Sequence, residues 1–252
     1  MSARGKRWNE VVPGVYRLEV ADVNCYLVAT SGGLTLVDAG LPGTLPVLDD
    51  LLAHLGAKRS DIDAILFTHG HFDHVGMAHR LRADHATPLY VHPRDQRLVR
   101  HPYRYAHERA RIGYPFRYPK AVPTLLAMTA KGALTVRGVN AAPNLHHGSP
   151  VEVPGRPIVL WTPGHTDGHC GLWFEEHDVL MTGDAIVTLD PYTGDVGPRI
   201  VAGAATADSE RALTSIDAFT ASDARVLLPG HGESWTDGVS AAVAQARRNG
   251  RR

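Results

Sequence analysis

The strongest constraint in this sequence is a dense group of metal-binding side chains that directly follows an apolar strand. The segment Ala64–Phe67 reads as a buried strand and runs into THGHFDH, which supplies His69, His71, Asp73 and His74. Histidines two positions apart in an extended turn point the same way and can bind one ion. The aspartate and the third histidine come after the chain bends towards a helix, so they can face a second ion.

Three further apolar strands end in a polar, glycine-containing turn that carries one potential ligand each. They run into the segments TPGHTDGH, TGDA and PGHG, which supply His165, Asp184 and His231. A sheet holds side chains at its strand ends rigidly and leaves them open to a substrate, as a catalytic site requires.

The seven candidates comprise five imidazoles and two carboxylates, with no thiolate. This set suits zinc, with iron or manganese as other options. One tetrahedral ion needs fewer than seven ligands, so two divalent ions are the simpler interpretation. The sequence predicts that one ion is bound by three histidines: His69, His71 and His165. It predicts that the other ion is bound by a mixed set: Asp73, His74 and His231. Asp184 is the predicted bridging carboxylate.

Composition narrows the partners and the compartment. The 252 residues include 26 basic and 26 acidic side chains. The sequence therefore lacks the surplus of basic residues that is typical of nucleic-acid-binding proteins. The N-terminus has no apolar leader, no stretch is long enough to span a membrane, and Cys25 and Cys170 lie in apolar contexts typical of buried thiols. We expect a cytoplasmic protein with a small-molecule substrate, no nucleic-acid or membrane partner, and a homodimer as an open option.

The chain reads as one domain, residues 1–252, with a lid-like insertion at about 93–153. Within the insertion, residues 100–120 are basic and aromatic, and the apolar stretch Val122–Met128 could line an acyl pocket. Apolar periodicity outside it predicts strands at Val15–Val20, Cys25–Ala29, Leu34–Asp38, Ala64–Phe67, Leu89–His92, Ile158–Trp161, Cys170–Phe174, Val179–Met181 and Arg225–Leu228. It predicts helices from a Thr44 cap to Leu55 and over about Val75–Ala83, Ser209–Phe219 and Val239–Arg248.

The segments THGHFDH, TPGHTDGH, TGDA and PGHG, in that order and spacing, resemble the metallo-β-lactamase-fold hydrolase superfamily, which includes hydroxyacylglutathione hydrolases and lactonases. The resemblance covers about Val15–Trp235, apart from the insertion. It implies an α/β fold, a four-layer αββα sandwich of two mixed sheets flanked by helices, with a dimetal site at one sheet edge and the same seven ligands. It also implies that Asp38 orients a metal-bound imidazole.

Two departures from the family bear on the substrate. Asp184 stands where several true β-lactamases of this superfamily have a thiolate, which argues against antibiotic hydrolysis. The chain ends soon after His231, without the C-terminal helical domain that holds glutathione in hydroxyacylglutathione hydrolases. These features favour a lactone or simple ester, with a thioester as a further option.

The expected mechanism uses a hydroxide between the two ions to attack an ester-type carbonyl, with Asp73 orienting that hydroxide and relaying a proton. The main alternative is an oxidoreductase resembling mononuclear iron persulfide dioxygenases. A nuclease or phosphodiesterase is a weaker alternative, and a non-catalytic binding module is the weakest.

Several residues outside the ligand set are weaker candidates. His169 is expected beside the ligands in a supporting role, Tyr192 could donate a hydrogen bond to a substrate oxygen, and Arg199 could bind a substrate carboxylate. We expect the basic-aromatic block at 100–120 to act as a lid over the site. A dimer contact or a solvated face is the second interpretation, and binding of single-stranded nucleic acid is the last.

Overall fold

Seven strands form one mixed sheet in the computed structural model, which describes residues 7–251. They are β1 (Trp8–Val12), β2 (Val15–Val20), β3 (Val23–Thr30), β4 (Gly33–Val37), β5 (Ile62–Leu66), β6 (Leu89–Val91) and β7 (Ala142–Pro143). The strands lie side by side in chain order. The pairs from β1 to β4 are antiparallel, and those from β4 to β7 are parallel.

A second sheet and a small hairpin contain the other strands. These are β8 (Ile158–Trp161), β9 (Cys170–Phe174), β10 (Val179–Gly183), β11 (Val187–Leu189), β12 (Val196–Arg199) and β13 (Val226–Pro229). The second sheet has the order β13-β10-β9-β8, and β11 pairs with β12. Because β9 is antiparallel to both β8 and β10, and β13 is parallel to β10, the strands β8, β10 and β13 run in one direction.

Alternating side chains along each strand divide the apolar core into layers. On β5, Ile65 packs under helices on the outer face, whereas Leu66 packs between the sheets. On β10, Met181 lies between the sheets and Leu180 lies on the opposite, outer face. Successive side chains of a strand point to opposite faces, so each sheet buries both of its faces.

Helices cover the two outer faces. The helices α1 (Leu45–His54) and α2 (Ala78–His85) pack on the first sheet, while α6 (Ser209–Ser215) and α7 (Val239–Asn249) lie over the second. Between them in sequence come three short helices: α3 (Gln96–Arg100), α4 (Tyr114–Arg117) and α5 (Val122–Ala130). The predicted four-layer αββα sandwich is thus confirmed.

Three helix boundaries differ from the sequence prediction. Thr44 makes no side-chain cap, because its φ of −81° and ψ of −20° are already helical and a 3-10 turn leads into α1. The helix predicted from Val75 begins at Ala78, because the N–H groups of Gly76 and Met77 bond to the loop after β4. The helix predicted over Ser209–Phe219 changes to a 3-10 helix at Ile216.

The segment 93–153 is attached to the sandwich at both ends. Val99 and Val139 pack in the layer beneath α1 and α2, and β7 is the edge strand of the first sheet. Further along, Leu145 and Val151 pack between the two sheets. The apolar stretch that was expected to line an acyl pocket forms α5, whose Met128 packs with a small separate cluster rather than with the candidate ligands.

None of the helices within residues 7–251 is long and apolar enough to cross a bilayer. The longest of them, α7, has 11 residues, whereas a spanning helix needs about 20. The expectation about the N-terminal leader rests partly on residues 1–6, which lie outside the described residues.

Candidate metal centre

The four ligand-bearing turns meet at one edge of the sandwich. They follow β5, β8, β10 and β13, and the last three of these strands end at the same edge because they run in one direction. Backbone bonds join the turns: Cys170 N donates to Thr68 O at 2.9 Å, and Gly230 N donates to Gly183 O at 2.8 Å. The two sheets therefore hold their ligand turns in one rigid frame.

All seven predicted ligands converge, and all seven are buried. Their donor atoms form three overlapping groups within 4.8 Å: His69, His71 and His165; His69, His74 and Asp184; and Asp73, His74 and His231. Asp184 lies at the centre, with Oδ2 3.4 Å from Nε2 of both His165 and His231 and Oδ1 3.3 Å from Nε2 of His74. The carboxylate of Asp184 can therefore contact both sets.

Several buried donor atoms at this centre have no hydrogen-bond partner. They include Nε2 of His69, His74 and His231 and Oδ1 of Asp184. Buried polar atoms are nearly always paired, so orphaned atoms that face one point need an explanation. Imidazole nitrogens and carboxylate oxygens are the ligands that zinc and iron accept. The residues present fit a pair of divalent ions.

The opposite nitrogens of four ligand imidazoles are held by hydrogen bonds, which fix each ring's orientation. Their Nδ1 atoms bond as follows: His69 to Thr68 Oγ1 at 3.1 Å, His74 to Asp38 Oδ2 at 2.9 Å, His165 to Thr206 Oγ1 at 3.1 Å and His231 to the carbonyl of Asp22 at 2.8 Å. Each of these rings therefore presents Nε2 to the centre.

Asp38 supports the centre from the turn after β4. Its Oδ1 accepts the backbone N–H of Thr68 at 2.8 Å, and its Oδ2 accepts the Thr68 hydroxyl at 2.8 Å as well as His74 Nδ1. The residue adopts a left-handed backbone with φ +58°, a region in which Asp and Asn are enriched among residues with a side chain. The turn aims its carboxylate at the ligand loop.

His169 is buried beside the ligands but does not present a free nitrogen to them. Its Nδ1 lies 2.9 Å from Thr162 Oγ1, and its Nε2 accepts the backbone N–H groups of Asp184 and Ala185 at 3.0 and 3.2 Å. Burial lowers the pKa of this imidazole well below its usual value, so it is the neutral form that accepts these bonds. His169 thereby holds the turn that carries Asp184.

Asp95, which sequence reasoning missed, joins two ligand loops. Its Oδ2 accepts the N–H of Gly70 at 3.0 Å and the hydroxyl of Thr166 at 2.7 Å, while Oδ1 accepts the N–H of Gly168 at 2.8 Å. Burial raises the pKa of this carboxyl to about 6, against the effect of those bonds. An acid shortly after a predicted strand, here β6, was the signal that could have revealed it.

The electrostatics of the ligand set separate neutral from charged imidazoles. Burial lowers the pKa values of His69 and His71, and it lowers the pKa of His165 to about 4. Burial opposes the charged form of His231 too, but the carboxylates of Asp184 and Asp73 raise its pKa to about 10. For His74, Asp184 and Asp38 likewise overcome burial and raise the pKa.

The two candidate substrate residues fare differently. Tyr192 lies near the centre, since its hydroxyl is 3.5 Å from that of Tyr105, whose ring lies on His71. Arg199 is directed elsewhere: its guanidinium bonds to Asp195 Oδ2 at 3.0 Å and to the carbonyls of Val196 and Gly197 at 2.7 and 3.1 Å. We correct the prediction that Arg199 binds a substrate carboxylate, because each of its three guanidinium nitrogens donates to an acceptor in its own hairpin.

Comparison with known proteins identifies the family of this chain. Residues 18–231 match the family model of the metallo-beta-lactamase superfamily. The probable metallo-hydrolase YflN of Bacillus subtilis is 29% identical over 93% of this chain and 90% of its own length. The uncharacterized protein ML0493 of Mycobacterium leprae is 30% identical over 86% of this chain and 89% of its own.

Solved structures show the same fold. The metallo-beta-lactamase family protein TTHA1429 from Thermus thermophilus superposes with a TM-score of 0.67 at 29% identity, covering 95% of this chain and 80% of that one. TTHA1623, solved in a di-iron-bound form, has a TM-score of 0.61 at 28% identity, covering 89% of this chain and 95% of that one.

Proposed function

This chain belongs to the metallo-beta-lactamase superfamily, and from that premise we propose that it is a hydrolase that uses two divalent metal ions, zinc first among them, to cleave a small ester-type substrate. Lactones, simple esters and thioesters are the substrate classes. The observation that carries the proposal is a pair of buried donor sets with Asp184 between them, its Oδ2 3.4 Å from Nε2 of both His165 and His231, and with orphaned Nε2 atoms facing inward.

Each of the two ions would be bound by its own set of side chains. His69, His71 and His165 would hold one ion, Asp73, His74 and His231 the other, and Asp184 would contact both. When bound, such a pair supplies Lewis acidity and a nucleophilic hydroxide at neutral pH.

The chain's own residues position this chemistry and move protons. Asp73 Oδ2 lies 3.4 Å from His231 Nε2, at the outer end of the centre. A carboxylate there would accept a hydrogen bond from the nucleophile, take up its proton and pass that proton to the leaving group, which regenerates the carboxylate. Asp38 and His169 keep the ligand turns in place, so little reorganisation is needed during the reaction.

The middle of the 93–153 segment would act as a lid over this centre. The ring of Tyr105 lies on His71, and Tyr103 stacks on Phe72 with ring centroids 5.5 Å apart. The backbone N–H groups of Glu108 and Arg109 donate to the carbonyls of Thr206 and Gly203, both at 3.0 Å. These bonds attach the segment to the loop that precedes α6. Because this segment lies directly above buried ligands, it would have to move to admit a substrate.

We place this activity in the cytoplasm. Cys25 and Cys170 are free and buried, in keeping with a reducing compartment.

A substrate panel tests the proposal. Lactones, esters, thioesters, phosphodiesters and β-lactams are assayed with protein loaded with zinc, manganese or iron, and with metal-free protein. We expect turnover of an ester-type substrate that is lost on metal removal and restored by zinc. Undiminished activity in verified metal-free protein would contradict the proposal.

Iron chemistry is the second candidate, because the relative TTHA1623 has been solved in a di-iron-bound form. An oxidoreductase resembling persulfide dioxygenases would consume oxygen with glutathione persulfide in iron-loaded protein. Metal analysis of protein as purified, combined with an oxygen-uptake assay, separates this function from hydrolysis.

A further inference from the structure

A cavity of about 350 Å³ opens beside the metal centre and is rich in arginine. His165 and Tyr105 form part of its wall, and Arg94, Arg97 and Arg104 line it with them. Its volume lies within the range of roughly 300–1,000 Å³ that is typical of small-molecule sites. The ligand His165 thus connects the centre to a site with a strongly basic lining.

The positive charge of this cavity is not neutralised from within the chain. Arg94, Arg97 and Arg104 are exposed, and no ion pair involves any of them among residues 7–251. Two acids line the same cavity, but Asp167 pairs with Arg211 at 2.7 Å, and Asp95, which accepts three hydrogen bonds from the ligand loops, is a single negative charge against three arginines. Because the whole chain has no net charge, this local excess of arginine is a specific feature.

An aromatic platform holds one of these arginines at the wall. The guanidinium carbon of Arg94 lies 4.9 Å from the ring centroid of Trp161, which stacks on His92 at 5.4 Å with the planes 6° apart. The indole N–H donates to the carbonyl of Asp167 at 3.0 Å. Cation–π contact orients a guanidinium without neutralising it, so Arg94 remains available to an anion.

We propose that the substrate carries an oxyanion, a carboxylate or a phosphate, at the end remote from the scissile bond, and that Arg94, Arg97 and Arg104 bind it. A guanidinium matches both groups through paired N–H donors. The inference rests on the proposed function, since it places the reacting end of an ester-type substrate at the metal centre. It narrows that substrate to an anionic one.

Kinetics with matched substrates test the proposal in zinc-loaded protein. The substrates are a nitrophenyl ester with a terminal carboxylate, its counterpart with a terminal phosphate, and a neutral ester of equal length. The double variant R97Q/R104Q should raise KM for an anionic ester roughly tenfold or more, with kcat within about twofold of wild type. The neutral ester should be unaffected, and the anionic ester that suffers more identifies the natural group.

A matched pair of arginines serves as the control. Arg80 and Arg137 are also exposed and line a separate cavity that contains none of the seven ligands. The variant R80Q/R137Q should leave all three substrates unchanged. Equal losses for charged and neutral esters in R97Q/R104Q, or unchanged KM for both anionic esters, would overturn the inference.

A binding measurement separates this inference from the proposed function. Inorganic phosphate and glutarate are titrated into zinc-loaded protein while the fluorescence of Trp161, which contacts Arg94, is followed. A saturable change is expected that is absent in W161F, unchanged in R80Q/R137Q and weakened roughly tenfold in R97Q/R104Q. No saturable change with either anion would overturn the inference, whether or not esters are hydrolysed. A saturable change in zinc-loaded protein that hydrolyses no lactone, ester or thioester supports the anion site and overturns the proposed hydrolase.

Discussion

The ring of Tyr105 lies against the imidazole of His71, with centroids 4.0 Å apart and planes tilted by 38°. Arg111 also contacts the ring of Tyr105: its guanidinium carbon is 4.2 Å from the ring centroid, and its Nε donates to the carbonyl of Ala204 at 3.0 Å. These contacts place a residue of the 100–120 block directly on a candidate ligand.

Removing this ring should expose the centre without removing a ligand. We expect Y105A to bind as much zinc as wild type but to lose it to a chelator several-fold faster, because the ring shields His71 from solvent. Y105F keeps the ring and should behave as wild type, since the hydroxyl has only a 3.5 Å contact with Tyr192. Stopped-flow zinc transfer to a coloured chelator gives the rates, and identical rates in Y105A and wild type would argue against the lid.

The bond between Asp38 and His74 should contribute to metal affinity. In D38N the amide cannot accept both Thr68 and His74 Nδ1 as the carboxylate does. We expect zinc binding to weaken roughly 10- to 100-fold, as measured by chelator competition. Asn tolerates the left-handed backbone, so the fold should persist. D178N is the matched control, because Asp178 shares this conformation at φ +57° but bonds to surface Arg225; equal loss in both variants would exclude a specific role.

The buried carboxyl of Asp95 should make stability depend on pH. Its pKa rises from 3.8 to about 6 on folding, so between these values the folded protein retains a proton that the unfolded chain has lost. The contribution of Asp95 to the free energy of unfolding should therefore fall as pH rises through this window, by on the order of 3 kcal/mol, and level off above about pH 6. Denaturant unfolding of metal-free wild type and D95N measures the difference at each pH. A difference that stays constant from pH 4 to 7 would show that Asp95 does not titrate there.

Asp73 should be needed for turnover. D73N keeps the shape of the side chain but loses its charge and its capacity to take a proton, so we expect activity on the best ester-type substrate to drop roughly 10²- to 10⁴-fold. Zinc content should decrease as well, while circular dichroism stays unchanged. H71A, which removes a ligand of the other donor set, should also abolish turnover. Full activity in D73N would refute this role.

Metal uptake should release protons. In metal-free protein, Asp184 and neighbouring carboxylates raise the pKa of His231 to about 10 and raise that of His74, although burial opposes both. Both imidazoles are therefore protonated at pH 7 and must become neutral to bind zinc. Zinc binding should accordingly release about two protons from these side chains. Apparent affinity should accordingly rise with pH. Calorimetry in buffers of different ionisation enthalpy counts the protons; H231Q should release about one fewer, and release of less than one by wild type would contradict the charge assignment.

Most strands could be predicted from local apolar runs, whereas their arrangement in four layers was an expectation from the family resemblance. The strands around Leu66 and Met181 are continuous apolar runs, as expected of strands buried on both faces. What could not be predicted were the pieces with weak patterns. The strand β7 has two residues, and the hairpin of β11 and β12 depends on neighbours rather than on its own sequence.

Residues around the ligands were harder to assign than the ligands themselves. Asp95 and Gly70 are 25 positions apart, and Tyr105 is 34 positions from His71, so no local spacing relates them. For Arg199 the sequence predicted a contact with a substrate carboxylate, whereas the side chain bonds to Asp195 in its own hairpin. The partners of a side chain depend on packing between distant segments, which a single sequence does not display.

The amino-acid sequence by itself determined the donor chemistry of this protein: each of the seven candidate ligands stands at the end of an apolar strand, and a strand end is a local feature. Only the tertiary structure decided which nitrogen four of the ligand imidazoles present, that Asp95 ties two loops together, and that three arginines share a cavity with His165. The physical reason is distance along the chain. Hydrogen bonds and charge clusters form between side chains that the packing of two sheets brings together, and that packing is a property of the whole molecule.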